Sequence, residues 1–177
     1  IGRGETVFEL NGSLDEFKIF NRSLTEDEIS YEYHMMFYGS TEKEPVNGTP
    51  APDIPVSLWH FDDNNTNAAF DYFGDLEGNI TNADYAQGVF GTQGFRFNGT
   101  KNQLGSGLTE FIWSNYSPKL NFSGNFTILL WMATGDANQV GYLVSRYMNT
   151  LWPSYGIFVN NSIMSCQIGN ETSNQTA

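Results

Sequence analysis

The chain has 177 residues and a formal charge of −12, with 8 Lys+Arg against 20 Asp+Glu and no basic cluster. A phosphate-contacting surface needs clustered cations, so nucleic acid is excluded as a partner. No apolar run approaches the ~20 residues of a membrane-spanning helix, and with Cys166 the sole cysteine no intrachain disulfide can form.

Fourteen Phe and nine Tyr, punctuated by 18 Gly and many Asn, predict an all-β chain with frequent turns. Residues 7–10 and 14–20 are expected as two short strands of a hairpin around Asn11-Gly12. Alternation along 14–20 gives one buried and one wet face. One short helix follows. Thr25 and Glu28 form a capping box, and Leu24 with Ile29 a hydrophobic staple. Ile29, Tyr33 and Met36 or Phe37 continue at helical spacing, and Gly39 supplies a left-handed end. Residues 40–55 form a linker stiffened by Pro45, Pro50, Pro52 and Pro55. A second β-rich region opens at Val56. Residues 57–61 alternate, 62–67 form a polar loop, and Gly88, Gly91 and Gly94 lead into the strand at 95–97. The continuous apolar run 126–132 is expected as a buried central strand, followed by strands at 142–147 and 155–160. Short strands at this spacing predict an antiparallel β-sandwich of jelly-roll type.

The densest signal is the Asn-X-Ser/Thr glycan acceptor motif. It occurs at Asn11, Asn21, Asn47, Asn64, Asn79, Asn98, Asn115, Asn121, Asn125, Asn160, Asn170 and Asn174. Chance placement of the Ser and Thr after the Asn residues gives roughly three such motifs rather than twelve. Turn-marking Asn accounts for Asn11-Gly12 and Asn98-Gly99. It does not account for Asn121-Phe122-Ser123 followed directly by Asn125-Phe126-Thr127. The motif works only on a secreted chain, so an extracellular, cell-surface glycoprotein carrying covalent N-glycans is expected. Small secreted animal domains lean on several disulfides. Dense acceptor motifs with one Cys point instead to an archaeal or viral surface protein, with Cys166 a small buried hydrophobe. The start, Ile1-Gly2-Arg3-Gly4, lacks a signal peptide's apolar stretch, and the end stops in polar sequence. A processed product or an internal piece is therefore expected.

The stretch IGRGETVFELNGSLDEFKIFNRSLTEDEI resembles the closing segment of a laminin-G-like, concanavalin A-like jelly-roll module. VSLWHFDDNNTNAAFDYFGDLEGNI resembles the opening of such a module, and GVFGTQGFRFNG, LNFSGNFTILLWM, YLVSRY and YGIFVNN continue it in family order. The end of one module thus precedes the start of the next. The resemblance implies three parts: residues 1–39 as the C-terminal end of a preceding module, 40–55 as linker, and 56–177 as the N-terminal part of a following module. The alternative is one circularly permuted module, with residues 14–20 beside 58–61. We expect the first arrangement, in which both strands pair outside this chain or with another copy. The chain departs from the family after Phe97, where residues 98–103 replace an acidic stretch.

The resemblance also implies a structural calcium, with Asp15 of the closing strand joined to Asp62, Asp63 and Asp71 after the opening strand. Solvated turn acids are the plainer reading, because calcium takes six to eight oxygens at short range. An EF-hand is rejected, since Ala68 and Gly74 stand where the loop needs Gly and Glu. Trp152 and Tyr155, with Trp113 and Tyr147, are candidates for stacking on sugar rings, against a plainer reading as core aromatics. No pair of strand-borne carboxylates suggests glycoside hydrolysis. Glu26, Asp27 and Glu28 serve a helix start, and His34 and His60 lack a nucleophile nearby. The sequence therefore predicts a non-enzymatic structural or adhesive module of a surface layer, stalk or filament, whose partners are other copies of itself. The alternative is a lectin-like module that binds extracellular polysaccharide, appended to a glycan-active enzyme.

Overall fold

A computed structural model of the chain describes residues 10–38, 54–63, 68–73, 76–89, 93–98, 111–147 and 153–168. The fold is all-β and antiparallel, with one α-helix among the described residues, α1 (Glu26–Tyr38). Its centre is strand β1 (Asn11–Phe20). Along one edge of β1 runs β8 (Thr127–Thr134), from Gly12 opposite Thr134 to Phe20 opposite Thr127. The other edge is shared. β6 (Gly94–Asn98) takes residues 11–14, and β2 (Ser57–Trp59) takes residues 17–19. β5 (Asp84–Ala86) extends the sheet beyond β6. A meander of β9 (Val140–Tyr147), β10 (Pro153–Asn160) and β11 (Ile163–Ile168) forms a second sheet. A third joins β3 (Ala68–Ala69), β4 (Gly78–Thr81) and β7 (Phe111–Ser114).

The expected turn at Asn11-Gly12 is not there: both are strand residues at the start of β1, and residues 7–9 of the expected hairpin lie outside the described residues. The glycine serves a close approach instead. A Cβ on Gly12 would lie 2.3 Å from the Ala133 carbonyl oxygen of β8. The bend comes at Glu16, where φ is 50° and the β1–β8 register slips between Asp15 and Lys18. This bulge adds one residue and so exchanges the two faces. Before it Leu10 and Leu14 point into the core; after it Phe17 and Ile19 do.

The second correction concerns partners. β1 and β2, expected to pair with segments outside the chain, pair with each other, Phe17 opposite Trp59 and Ile19 opposite Ser57. Side chains from both sides of residues 39–53 fill one core, including Leu14 and Phe17 with Phe61, Phe95, Phe97, Leu143 and Val159. Phe61, Phe95 and Phe97 are fully buried, each contributing about 1.5–3 kcal/mol through removal from water.

The third concerns β8. Among the described residues it has β1 as its sole strand partner, so β1, not β8, is the central strand. The unbroken apolar run has contacts on both faces, and residues 127–132 are half-buried throughout. Ile128, Leu130 and Met132 pack on the core, while Trp131 on the opposite face meets Tyr33 of α1 at 5.4 Å between ring centroids. Lys18, also on that outer face, bonds Glu32 at 2.7 Å. The capping box forms as expected: Thr25 N–H donates to Glu28 Oε2 (2.8 Å), and Glu28 N–H to Thr25 Oγ1 (3.3 Å). Ile29 and Tyr33 nevertheless remain 44% and 48% exposed. Among the described side chains, the helix is tied down by its ion pairs, Glu32 with Lys18 and Glu28 with Arg22, and by Tyr33. Gly39, residues 40–53 and the side chains of Met36 and Phe37 lie outside the described residues.

Candidate functional site

Eight acceptor asparagines fall in described positions: Asn11, Asn21, Asn79, Asn98, Asn115, Asn121, Asn125 and Asn160. All but Asn79, half-buried in β4, are exposed. Asn47, Asn64, Asn170 and Asn174 lie outside the described residues. Strand register sorts the exposed seven into two groups at opposite ends of the sandwich. Asn11 stands directly opposite Asn98. Gln139 gathers Asn160 to the same end, accepting from Asn11 N–H through Oε1 (2.7 Å) and from Asn161 N–H through its carbonyl (2.9 Å). At the other end, Asn21 follows β1 where Phe20 meets Thr127, and Asn125 precedes β8 there. Arg146, near the far end of β9, donates to Asn121 Oδ1 and to the Ser117 carbonyl, which brings Asn121 and Asn115 to this end.

Two of these motifs are also structural. Asn121 Nδ2 donates to Tyr116 Oη at 2.7 Å, and Arg146 lies 5.1 Å from the Tyr116 ring centre. The amide has two hydrogens, so a glycan and this bond can coexist. Thr127, third residue of the Asn125 motif, accepts from Leu24 N–H (3.0 Å) and donates to the Arg22 carbonyl (2.8 Å). It ties the segment before α1 to β8. Sequence reading missed this second role, because the partners lie more than a hundred residues away.

The four acids expected to hold calcium are divided by the fold. Asp15 and Asp62 sit on either side of one loop. Asp15, buried, accepts from Val89 N–H (2.8 Å) and Glu16 N–H (2.9 Å), and Asp62 accepts from Gln93 N–H (2.9 Å). Gln93 Oε1 is buried there with no hydrogen-bond partner. Asp63 instead accepts from Phe70 N–H (3.0 Å), and Asp71 from Ser57 Oγ (2.5 Å) and Leu58 N–H (2.9 Å). Asp63 thus holds the backbone just after β3, and Asp71 holds β2. Among the described residues no cluster of three or more His, Cys, Asp or Glu is arranged for a metal.

Burial pushes the Asp15 carboxyl up to about 6, and the neighbouring charges of Glu16 and Asp62 push the same way. Beside it His60 Nδ1 bonds Glu16 Oε1 at 2.7 Å, which raises the imidazole above its usual range. Tyr72 packs edge-on against His60 at 4.7 Å. Glu16 and Phe61, the residues flanking this knot, both have positive φ, 50° and 65°. For fully buried Phe61 that is a costly backbone conformation. Both oxygens of Asp15 are held by backbone N–H groups, so the knot ties β1 and β2 to the backbone at Val89 and Gln93. Gly88 and Gly94 permit it: a Cβ on Gly88 would lie 2.6 Å from Asp15 Oδ2, and one on Gly94 2.9 Å from the Leu14 carbonyl oxygen.

Of the aromatic residues proposed to stack on sugar, Tyr155 is 5% exposed and packs on Phe126 (4.8 Å) and Phe122 (5.6 Å). It is a core residue, its hydroxyl pushed up to about 12 by burial. Trp152 and the Tyr147 side chain lie outside the described residues, while Trp113 on β7 is 46% exposed. Cys166, expected to be buried, is exposed. It lies on β11, which among the described residues is an edge strand paired with β10 alone. No family model, curated protein or solved structure matches this chain.

Proposed function

We propose that this chain is a non-enzymatic, N-glycosylated extracellular module whose role is structural or adhesive, in a surface layer, stalk or filament built from copies of itself. The observation that carries this reading is the exposure of seven of the eight described acceptor asparagines. An excess of acceptor motifs alone is a statement about sequence; the collection of the seven exposed ones at the two ends of the sandwich gives glycans room without disturbing the sheets. The commitments of the acids support the non-enzymatic part. Asp15, Asp62, Asp63 and Asp71 hold backbone N–H groups. Glu28 and Glu32 are paired with Arg22 and Lys18. None is left as the facing acid and nucleophile that glycoside cleavage requires.

The test is intact-glycopeptide mass spectrometry on protein from its native source. Glycan is expected at most of the twelve acceptor asparagines, and bare peptide at nearly all of them would overturn the reading.

A further inference from the structure

β11 is an edge strand, and its open side has a self-complementary pattern. The turn between β10 and β11, Asn161-Ser162, has φ of 49° and 65°, the two left-handed residues of a type I′ hairpin. In such a hairpin the residues flanking the turn, Asn160 and Ile163, bond to each other, and bonded and non-bonded pairs then alternate. Ile163, Ser165 and Gln167 therefore direct their backbone groups to β10, opposite Asn160, Phe158 and Gly156. The N–H and C=O groups of Met164, Cys166 and Ile168 point to the open edge, where no strand pairs among the described residues.

The side chains of the same three residues lie on the inward face of the sheet. Their cross-strand partners are Val159, Ile157 and Tyr155, which belong to the core or pack on it. Yet Met164 is 55% and Ile168 77% exposed, and Cys166 is exposed as well. The inward face of β11 extends past the layer that should cover it. Residues 163–168 contain no charge, in a chain of net charge −12.

We propose that β11 pairs antiparallel with β11 of a second copy of this chain, about a two-fold axis through Cys166. A two-fold axis maps a strand onto itself only around one residue. Cys166 is the middle of the three whose backbone groups face outward. Centred there, Cys166 faces Cys166 of the second copy and Met164 faces Ile168. Apolar groups meet apolar groups, and no like charges are brought together, which the acidic surface elsewhere penalises. The two meanders become one six-stranded sheet with a continuous inward face. Asn160 shares the opposite face with its partner Ile163, so a glycan there leaves the pairing face open. The pairing specifies the surface through which the proposed assembly of copies begins, and only its covalent reinforcement rests on the extracellular reading. Directly opposed residues of such a bonded pair have Cα atoms about 5.5 Å apart, inside the roughly 4.4–6.8 Å range of disulfides. With a small-molecule disulfide as oxidant, the two thiols lose two electrons and two protons to form the S–S bond, and the oxidant is reduced to two thiols.

The experiment uses the full 177-residue chain, made without glycans, so its outcome is independent of acceptor occupancy. Sedimentation under reducing conditions is expected to give a concentration-dependent dimer, and oxidised glutathione a covalent one. Cys166→Ser should keep the first and lose the second. Met164→Lys or Ile168→Glu alone should raise the dimer Kd about tenfold or more, by desolvating a charge against an apolar residue. The double variant should recover most of the loss, because Lys at 164 then faces Glu at 168 of the second copy. Within one strand those positions are too far apart to pair. These sites are exposed, and thermal midpoints of the variant monomers should match the parent. A monomer at all concentrations would overturn the proposal. A dimer indifferent to the single substitutions, or not recovered by the double one, would overturn this edge and this register.

Discussion

Thr127 separates what a glycan acceptor motif does for the glycan from what it does for the fold. Its hydroxyl accepts from the Leu24 N–H at 3.0 Å and donates to the Arg22 carbonyl at 2.8 Å. Leu24 is 9% exposed, so its N–H has little access to water once that acceptor is gone. Thr127→Ala removes the hydroxyl and leaves a buried donor unpaired, which costs about 1–3 kcal/mol. The Arg22 carbonyl, on a half-exposed residue, can turn to water. We expect about 2 kcal/mol of destabilisation, or a fall in Tm of roughly 4–8 °C for a chain of this size. Asn125→Gln abolishes the same acceptor motif but touches only an exposed side chain, so a change within about 0.5 kcal/mol is expected. Thr127→Ser keeps both the motif and the two hydrogen bonds and should fall between. The assay is urea unfolding followed by tryptophan fluorescence, on protein from a host that adds no N-glycans. If Thr127→Ala and Asn125→Gln unfold at the same urea concentration, the hydroxyl does not tie the helix entry to β8, and that account of the junction fails.

Asp15 predicts a pH dependence of defined sign. Its folded pKa of about 6 lies above the ordinary 3.8, so the folded state disfavours its ionisation. Its contribution is best below about 3.8 and declines as pH rises to about 6, by on the order of 3 kcal/mol. His60, also raised, adds stability below its ordinary 6.5 that is lost as pH rises through its folded pKa. Parent-minus-Asp15→Asn unfolding free energies, measured in EDTA from pH 4 to 7, should fall across the window; a flat difference would contradict the burial argument. Gly12→Ala should cost ~3 kcal/mol or more, because its Cβ meets the Ala133 carbonyl oxygen at 2.3 Å, whereas Gly124→Ala and Gly135→Ala, with nothing within 4 Å, should be near neutral. Equal unfolding midpoints for the three would remove the close β1–β8 approach. Arg22 holds Glu28 down to about 2 through a two-pronged contact at 2.7 and 2.9 Å. Arg22→Ala should return that carboxyl toward 4.5 in an NMR titration, and an unmoved value would mean that the helix cap alone sets it.

The sequence by itself determined whatever depends on neighbours along the chain. Aromatic and β-branched runs divided by Gly and Asn gave the all-β class. Thr25 and Glu28, three residues apart, gave the helix start, because both partners of a capping box lie within one turn. The acceptor motifs are local by definition. Tertiary structure decided what depends on distant partners. Asn11-Gly12 reads as a turn in isolation, and only the Ala133 carbonyl pressing on Gly12 from β8 makes the glycine a contact point inside a strand. The apolar run of β8 reads as a central strand, but among the described residues its strand pairing is with β1 alone, and Tyr33 of the helix packs on its outer face. Tyr155 takes the core place that is its plainer reading, whereas Cys166, expected to be buried, is exposed: burial is set by what packs against a strand's face, and that covers Tyr155 of β10 but not Cys166 of β11. The pairing of β1 with β2 joins segments separated by the linker. Loop-closure entropy grows only slowly with linker length, so the sequence allowed this pairing without requiring it, and the shared core of Phe17, Trp59, Phe61 and Phe95 decided it.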